Sequence, residues 1–310
     1  MTLQELLERH VRPAASGVPD WMLGCFRRRC ISFANGESDN QTIVYWFQSR
    51  NTTIDLRLPV AGQQVPAKAL SEYSPTELQT LANYEGWEAQ SQWDGERMSW
   101  FDETALQTHN RWPEPAELKR IGNCMIEFAP SGAYVEDWRA QPTQAGPLIG
   151  LRLIDQRNLD TGECIHRGGG LIVAGDHAAL VLGRPDSLSG ESALREQIGS
   201  ADPLSLKRLL QFETSVAQGS LTEGYTIEHS TRPERVDQWL WPTTDVDWSI
   251  KDREVRQQFT LDGATHERRF RVDTLEAHFP FDLHTPWPAD ARAWFGREAA
   301  TLTRYTRLLD

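Results

Sequence analysis

Thr42-Ile43-Val44-Tyr45-Trp46-Phe47-Gln48-Ser49 is followed by Arg50-Asn51 and then by Thr52-Thr53-Ile54-Asp55-Leu56-Arg57-Leu58-Pro59-Val60. Both runs are rich in β-branched and aromatic residues, which suit a pleated, half-buried surface. Side chains alternate along a strand, so Thr52, Ile54, Leu56 and Leu58 share one face and Thr53, Asp55 and Arg57 the other. Arg50-Asn51 make a tight reversal, and Pro59 ends the second strand. The two runs read as neighbouring strands of an antiparallel meander.

The same signals extend in both directions. Upstream, Leu23–Phe33 is a strand, and the turn-rich residues 35–40 separate it from Thr42. Downstream comes one clear helix: Ser74 as N-cap, Pro75 at the first helical position, Glu77 to close a capping box, Leu78, Leu81 and Ala82 on one face, and Gly86 as the stop. Strands are expected at 87–92, 96–101, 106–112, 124–128 and 133–139, with hairpin turns at Asp94-Gly95 and Pro130-Ser131-Gly132. The Pro/Gly-rich residues 141–147 mark a domain boundary. Beyond it the order repeats loosely. Strands are expected at 148–156, 164–174 and 178–182, helices at 192–198 and 203–214, then strands at 224–230, 253–261, 265–274 and 278–281. Asp262-Gly263 is the clearest hairpin turn. Many antiparallel strands in so few residues must manage their edges, and closure into a barrel does so. A β-sandwich is the competing architecture.

Composition narrows the function classes. The 310 residues carry 32 Lys+Arg against 44 Asp+Glu, a net charge of −12, which argues against a duplex-binding face. No apolar run is long enough to span a membrane as a helix. The N-terminal residues 1–17 form an amphipathic helical segment with Leu3, Leu6 and Leu7 on one side, and lack a secretory h-region. Cys25, Cys30, Cys124 and Cys164 form no CxxC and are expected to be free thiols of a cytoplasmic protein.

Residues 21–28 (WMLGCFRR), 44–49 (VYWFQS) and 54–59 (IDLRLP) resemble a family of lipocalin-like proteins with two barrels in one chain. The family is typified by a fungal cytoplasmic protein of unknown activity that associates with a casein kinase. The resemblance rests mainly on residues 21–59. It implies an all-β chain with minor helix, built as two antiparallel lipocalin-like barrels in tandem, closed or half-open. Residues 18–145 are expected to form the first barrel and 146–310 the second with a C-terminal extension. The family supplies no catalytic residues to carry over.

Asp55 and Arg57 share a strand face, so they form an ion pair that either faces into the barrel and orients a polar ligand group, or lies on the solvent face or locks a barrel end. Twelve tryptophans are present. Trp46, Trp87, Trp93 and Trp100 fall in the strands of the first half, as wall or as core. His166-Arg167-Gly168-Gly169-Gly170 fails the phosphate-loop pattern and reads as a strand bend. The eight histidines show no metal-ligand spacing, no GxSxG elbow occurs, and no cofactor or metal is expected. The leading expectation is a non-enzymatic protein that binds a small, partly apolar ligand through Trp46, Asp55, Arg57, Trp87, Trp93 and Trp100, with a carboxylate head on Arg57. The alternative is a structural or protein-interaction module with filled barrels. An enzyme using Asp55, Arg57 and a distant histidine is the third class, without a motif to name its reaction.

Overall fold

A computed structural model describes residues 1–10, 16–108, 114–188, 192–249, 254–281, 292–293, 296–297 and 299–300. Half of the fold is one sheet: β1 (Gly24–Phe33), β2 (Ser38–Asp39), β3 (Ile43–Gln48), β4 (Thr52–Leu58), β5 (Glu85–Trp93), β6 (Arg97–Ala105), β7 (Ala116–Ile121), β8 (Cys124–Phe128) and β9 (Tyr134–Ala140). Each strand from β3 to β9 pairs with the next, β3 pairs with β1, and β9 returns to β1, so eight antiparallel strands close a barrel. The short β2 lies on β1 outside the ring. Helix α2 (Pro75–Leu81) begins at a capping box between Ser74 and Glu77.

The second sheet holds β10 (Gly146–Asn158), β11 (Cys164–Arg167), β12 (Gly169–Ala174), β13 (His177–Leu182), β14 (Glu213–Ser220), β15 (Gly224–Ser230), β16 (Val246–Ser249), β17 (Glu254–Leu261) and β18 (Ala264–Phe279). Its order is β15-β14-β13-β12-β10-β18-β17-β16, with β11 on β10. The end strands β15 and β16 do not pair, so among the described residues this sheet is open. No strand is shared between the two sheets. The N-terminal chain lies along the β16 end: Leu3 N–H donates to Thr243 O and Val246 N–H to Met1 O, each at 2.9 Å. Helix α1 (Leu3–Arg9) buries Leu3, Leu6 and Leu7 against one face of the sheet, with Leu151, Leu180, Trp241 and Phe270. Helices α3 (Leu194–Ser200) and α4 (Pro203–Leu209) follow β13.

Several segments differ from expectation. Residues 106–108 are bends rather than strand, and 109–112 of that expected strand lie outside the described residues. Ala116–Ile121, not expected, is β7; its charged Glu117, Lys119 and Arg120 mask an alternation whose Ala116 and Leu118 are buried. The helix expected to reach Thr214 stops at Leu209, because Glu213 onward pairs with β13. Residues 278–279 continue β18 rather than starting a new strand.

What joins the halves is an apolar face on the outside of the barrel. Tyr45, Phe47, Ile54 and Leu56 pack with Ile172, Ala179, Val181 and Val216 of the second sheet. Burying each Leu, Ile or Phe of this kind contributes about 1.5–3 kcal/mol. Polar clasps surround it. The Arg50-Asn51 reversal docks on β18, where Arg50 Nε donates to Glu276 Oε1 at 2.8 Å and Asn51 Nδ2 to Asp273 Oδ1 at 2.9 Å. Arg152 Nε of β10 donates to the fully buried Glu88 of β5 at 2.7 Å. Two glycines permit the approach: a Cβ at Gly86 would lie 2.4 Å from Thr214 Oγ1, and one at Gly183 2.5 Å from Thr104 Cγ2. No described helix is long and apolar enough to cross a membrane.

Gly86→Ala should therefore destabilise the chain by about 1–3 kcal/mol through overpacking. Gly62→Ala, with no neighbour within 4 Å of the new Cβ, should stay within about 0.5 kcal/mol. Urea unfolding of the two variants checks this, and equal midpoints would contradict the close-packed interface. A second expectation concerns pH. Burial pushes the Glu88 carboxyl up to about 7 from an ordinary 4.5, against the pull of Arg152. The folded chain then holds this proton more tightly than the unfolded one. The contribution is full below about pH 4.5 and is lost as pH rises through 7, about 3 kcal/mol at 1.36 kcal/mol per pKa unit. Unfolding free energies of wild type and Glu88→Gln across pH 4.5–8 should converge at low pH and separate above 7, the variant losing less.

Candidate functional site

Cross-strand register assembles a chamber inside the barrel. Trp46 lies opposite Asp55, and Asp55 opposite Trp87, so the three side chains stand in one row on the inner face. Trp100 meets Trp46 and Trp87 edge-on at 5.8 and 5.9 Å, and Trp138 of β9 meets Trp46 at 5.3 Å. Glu103, Glu127, Tyr134 and Glu136 complete the lining with Arg57. Five of the six residues expected from sequence thus converge: Trp46, Asp55, Arg57, Trp87 and Trp100. Trp93 does not; its ring packs edge-on against Trp21 at 5.8 Å. Because Asp55 and Arg57 face inward, Ile54 and Leu56 face out to the second sheet.

The chamber is acidic. Arg57 Nε donates to Asp55 Oδ1 at 2.9 Å, and its NH2 to Oδ2 at 3.4 Å. Glu127 accepts from Trp138 Nε1 at 2.9 Å and from the Tyr134 hydroxyl at 3.2 Å. Arg28 NH1 donates to Glu136 Oε1 at 2.8 Å. Burial raises the Asp55 carboxyl in spite of Arg57, and burial together with Glu136 raises Glu127 well above the ordinary range. Burial opposes the charge on Arg57, but the Asp55 and Glu136 carboxylates hold it protonated. Four carboxyl groups and one guanidinium line the space, so a carboxylate ligand meets repulsion here. The cavity measures about 40 Å³, room for one or two waters at about 30 Å³ each.

A far larger space lies on the second sheet, a groove of about 1760 Å³. Register again builds it. His166 of β11, Gln156 of β10, Arg268 of β18 and Gln257 of β17 are successive cross-strand partners, all buried, and the first three line the groove. The row continues the face that α1 covers farther along, where Val255 and Phe270 sit two residues from Gln257 and Arg268. Arg268 Nε donates to Gln156 Oε1 at 2.7 Å, and the guanidinium stacks 4.6 Å over the Phe259 ring. Burial pushes the His166 imidazole down to about 4, so the ring is neutral; its Nδ1–H donates to Gly183 O at 2.9 Å. On the far wall Arg235 Nε donates to both oxygens of buried Glu213, at 3.0 and 3.1 Å. Gly168 and Gly169 have positive φ, and a Cβ at Gly169 would lie 2.2 Å from Val181 O, so the glycine run is a bend between β11 and β12. The four cysteines are free. No cluster of metal-ligating side chains exists among the described residues.

Sequence reasoning did not single out Glu103, Glu127, Tyr134, Glu136 and Trp138 of the chamber, and it read His166 and Arg167 of the groove as part of a strand bend. A signal was present: Glu136 alternates with Tyr134 and Trp138, which places a charge on an aromatic strand face. Only the β9–β1 closure brings that face opposite Trp46. Arg57→Met should lower stability by about 3–5 kcal/mol, since it leaves Asp55 buried without its partner. Adding Asp55→Asn should restore most of the loss in urea unfolding. A double variant no more stable than Arg57→Met would show that the ion pair is not what Arg57 contributes.

No family model matches the chain, and no curated protein matches it either. Among solved structures the chain is similar to the crystal structure of the uncharacterized protein YLR301w from Saccharomyces cerevisiae. That match has 13% sequence identity and a TM-score of 0.44, and covers 82% of this chain and 99% of the other.

Proposed function

We propose that this chain is a non-enzymatic binding protein whose ligand lies in the groove of the second sheet, with the closed barrel as the scaffold that holds it. The contrast in free volume carries the reading. About 1760 Å³ stands open on the second sheet against about 40 Å³ in the barrel, while small-molecule sites need roughly 300–1,000 Å³. In this reading the second half is a half-open member of a two-barrel, lipocalin-like chain, and the missing closure creates the groove. The resemblance of residues 21–59 supports it. Four free thiols support a reducing, cytoplasmic setting.

A second reading keeps the ligand in the barrel. The convergence of Trp46, Trp87, Trp100 and Trp138 with four carboxyl groups favours it. Aromatic faces and carboxylates attract cations, and the volume restricts the occupant to an ammonium or methylammonium ion. The indole N–H signals of the twelve tryptophans separate the readings. In an NMR screen of small apolar fragments and methylammonium, fragments should shift Trp239 and Trp241, which line the groove, and leave Trp46 and Trp138 unmoved. Shifts confined to the barrel tryptophans would transfer the site to the chamber. No shifts at millimolar concentration would leave the filled, protein-interaction module standing.

A further inference from the structure

We infer that the groove takes an organic acid with an apolar body, and that Arg268 anchors its carboxylate. This rests on the groove being the binding site. Arg268 borders the groove but is only 6% exposed, and its NH1, itself with almost no accessible surface, finds no hydrogen-bond partner among the described residues. Its Nε is spent on Gln156 and its flat face on Phe259. Of the other guanidinium groups that line the groove, Arg235 is matched by Glu213, Arg232 by Glu234 and Arg208 by Asp186, while the exposed Arg167 donates to Pro185 O. Glu213 is the acid whose field reaches Arg268, but its Oε1 also accepts from Ser215, and both its oxygens accept from Arg235. Arg268 is therefore a buried cation without a carboxylate of its own among the described residues. A buried charge left unpaired is strongly unfavourable, and a bound anion relieves it.

The chemistry of that anion follows from charge and shape. A guanidinium presents parallel N–H donors that match a carboxylate. One positive charge in excess is balanced by one carboxylate and overbalanced by a phosphate, which carries about −1.5 to −2. A second donor stands next to Arg268. Gln156 gives its carbonyl to Arg268, so its amide NH2 faces His266 Nδ1 at 3.4 Å. Phe259 and the 60%-exposed Trp239 line the same groove, backed by buried Leu240 and Trp241, and offer apolar surface to the body of the acid. The unpaired arginine is thus on the second sheet, not at Arg57, whose guanidinium is already bonded to Asp55.

Calorimetric titration of the full chain tests this with octanoate and phenylacetate as probes, octanamide and phenylacetamide as neutral matches, and inorganic phosphate as the competing anion. The acids should bind at least tenfold tighter than their amides and tighter than phosphate. Arg268→Met should weaken acid binding at least thirtyfold and amide binding by no more than about threefold, and keep or raise the melting temperature, since it removes an unpaired buried charge. Arg268→Lys, which keeps the charge and loses the fork, should weaken acid binding about tenfold and guards against a misfolded methionine variant. Equal affinity for acid and amide, tighter phosphate binding, or acid binding untouched by both variants would overturn the carboxylate anchor while the groove remains a binding site. If neither acids nor amides bind at millimolar concentration, the groove reading itself falls, and the anchor with it.

Discussion

The contact between the outer wall of the barrel and the second sheet is what the rest of the structure depends on. Tyr45, Phe47, Ile54 and Leu56 face away from the barrel axis and find their burial against Ile172, Ala179, Val181 and Val216. A closed barrel ordinarily keeps its larger apolar side chains inside or fills a cavity with them. Here β3 is buried along its whole length, on both faces. The second sheet thus acts as a lid on a greasy wall, and the wall in turn is the floor on which that sheet is laid.

That arrangement explains the polarity of the two interiors. Strand β4 must give its apolar face to the interface, so strict alternation sends Thr53, Asp55 and Arg57 into the barrel. Acids and guanidinium groups in a closed space must then satisfy one another, and the Asp55–Arg57 pair and the Glu127–Tyr134–Trp138 bonds do so. The second sheet meets the same rule differently. Its face opposite the barrel is apolar where α1 covers it and polar farther along, at His166, Gln156, Arg268 and Gln257. Because this sheet does not close among the described residues, His166, Gln156 and Arg268 border the groove as well as one another, Arg268 being bonded to Gln156.

Much of the fold was legible in residues 42–60. Alternation located β3 and β4, and the Arg50-Asn51 reversal located their turn. Local signals also placed α2 and the Asp262-Gly263 hairpin, whose two residues have positive φ. What could not be read was which strand pairs across more than a hundred residues. The return of β9 to β1 decides that Glu136 and Trp138 share a chamber with Trp46, and the pairing of β10 with β18 decides that Gln156 holds Arg268. Period-2 patterning also leaves the inward face undecided when both faces are buried. Asp55 and Arg57 were found as a pair from spacing alone. Their mutual engagement, and the availability of Arg268, depend on neighbours that the local sequence does not contain.

The greasy outer wall also has a consequence for biosynthesis. The barrel closes when β9 ends at Ala140, whereas its cover is not complete until Val216 of β14 has been made. At about 5–20 residues per second, that interval lasts on the order of ten seconds. A barrel that folds before its cover is made would present Tyr45, Phe47, Ile54 and Leu56 to water on the nascent chain throughout that interval. Such a surface is the kind that chaperones bind and that neighbouring nascent chains stick to. For a barrel that folds as it is made, the stretch between residues 140 and 216 would set how long that wall stays uncovered.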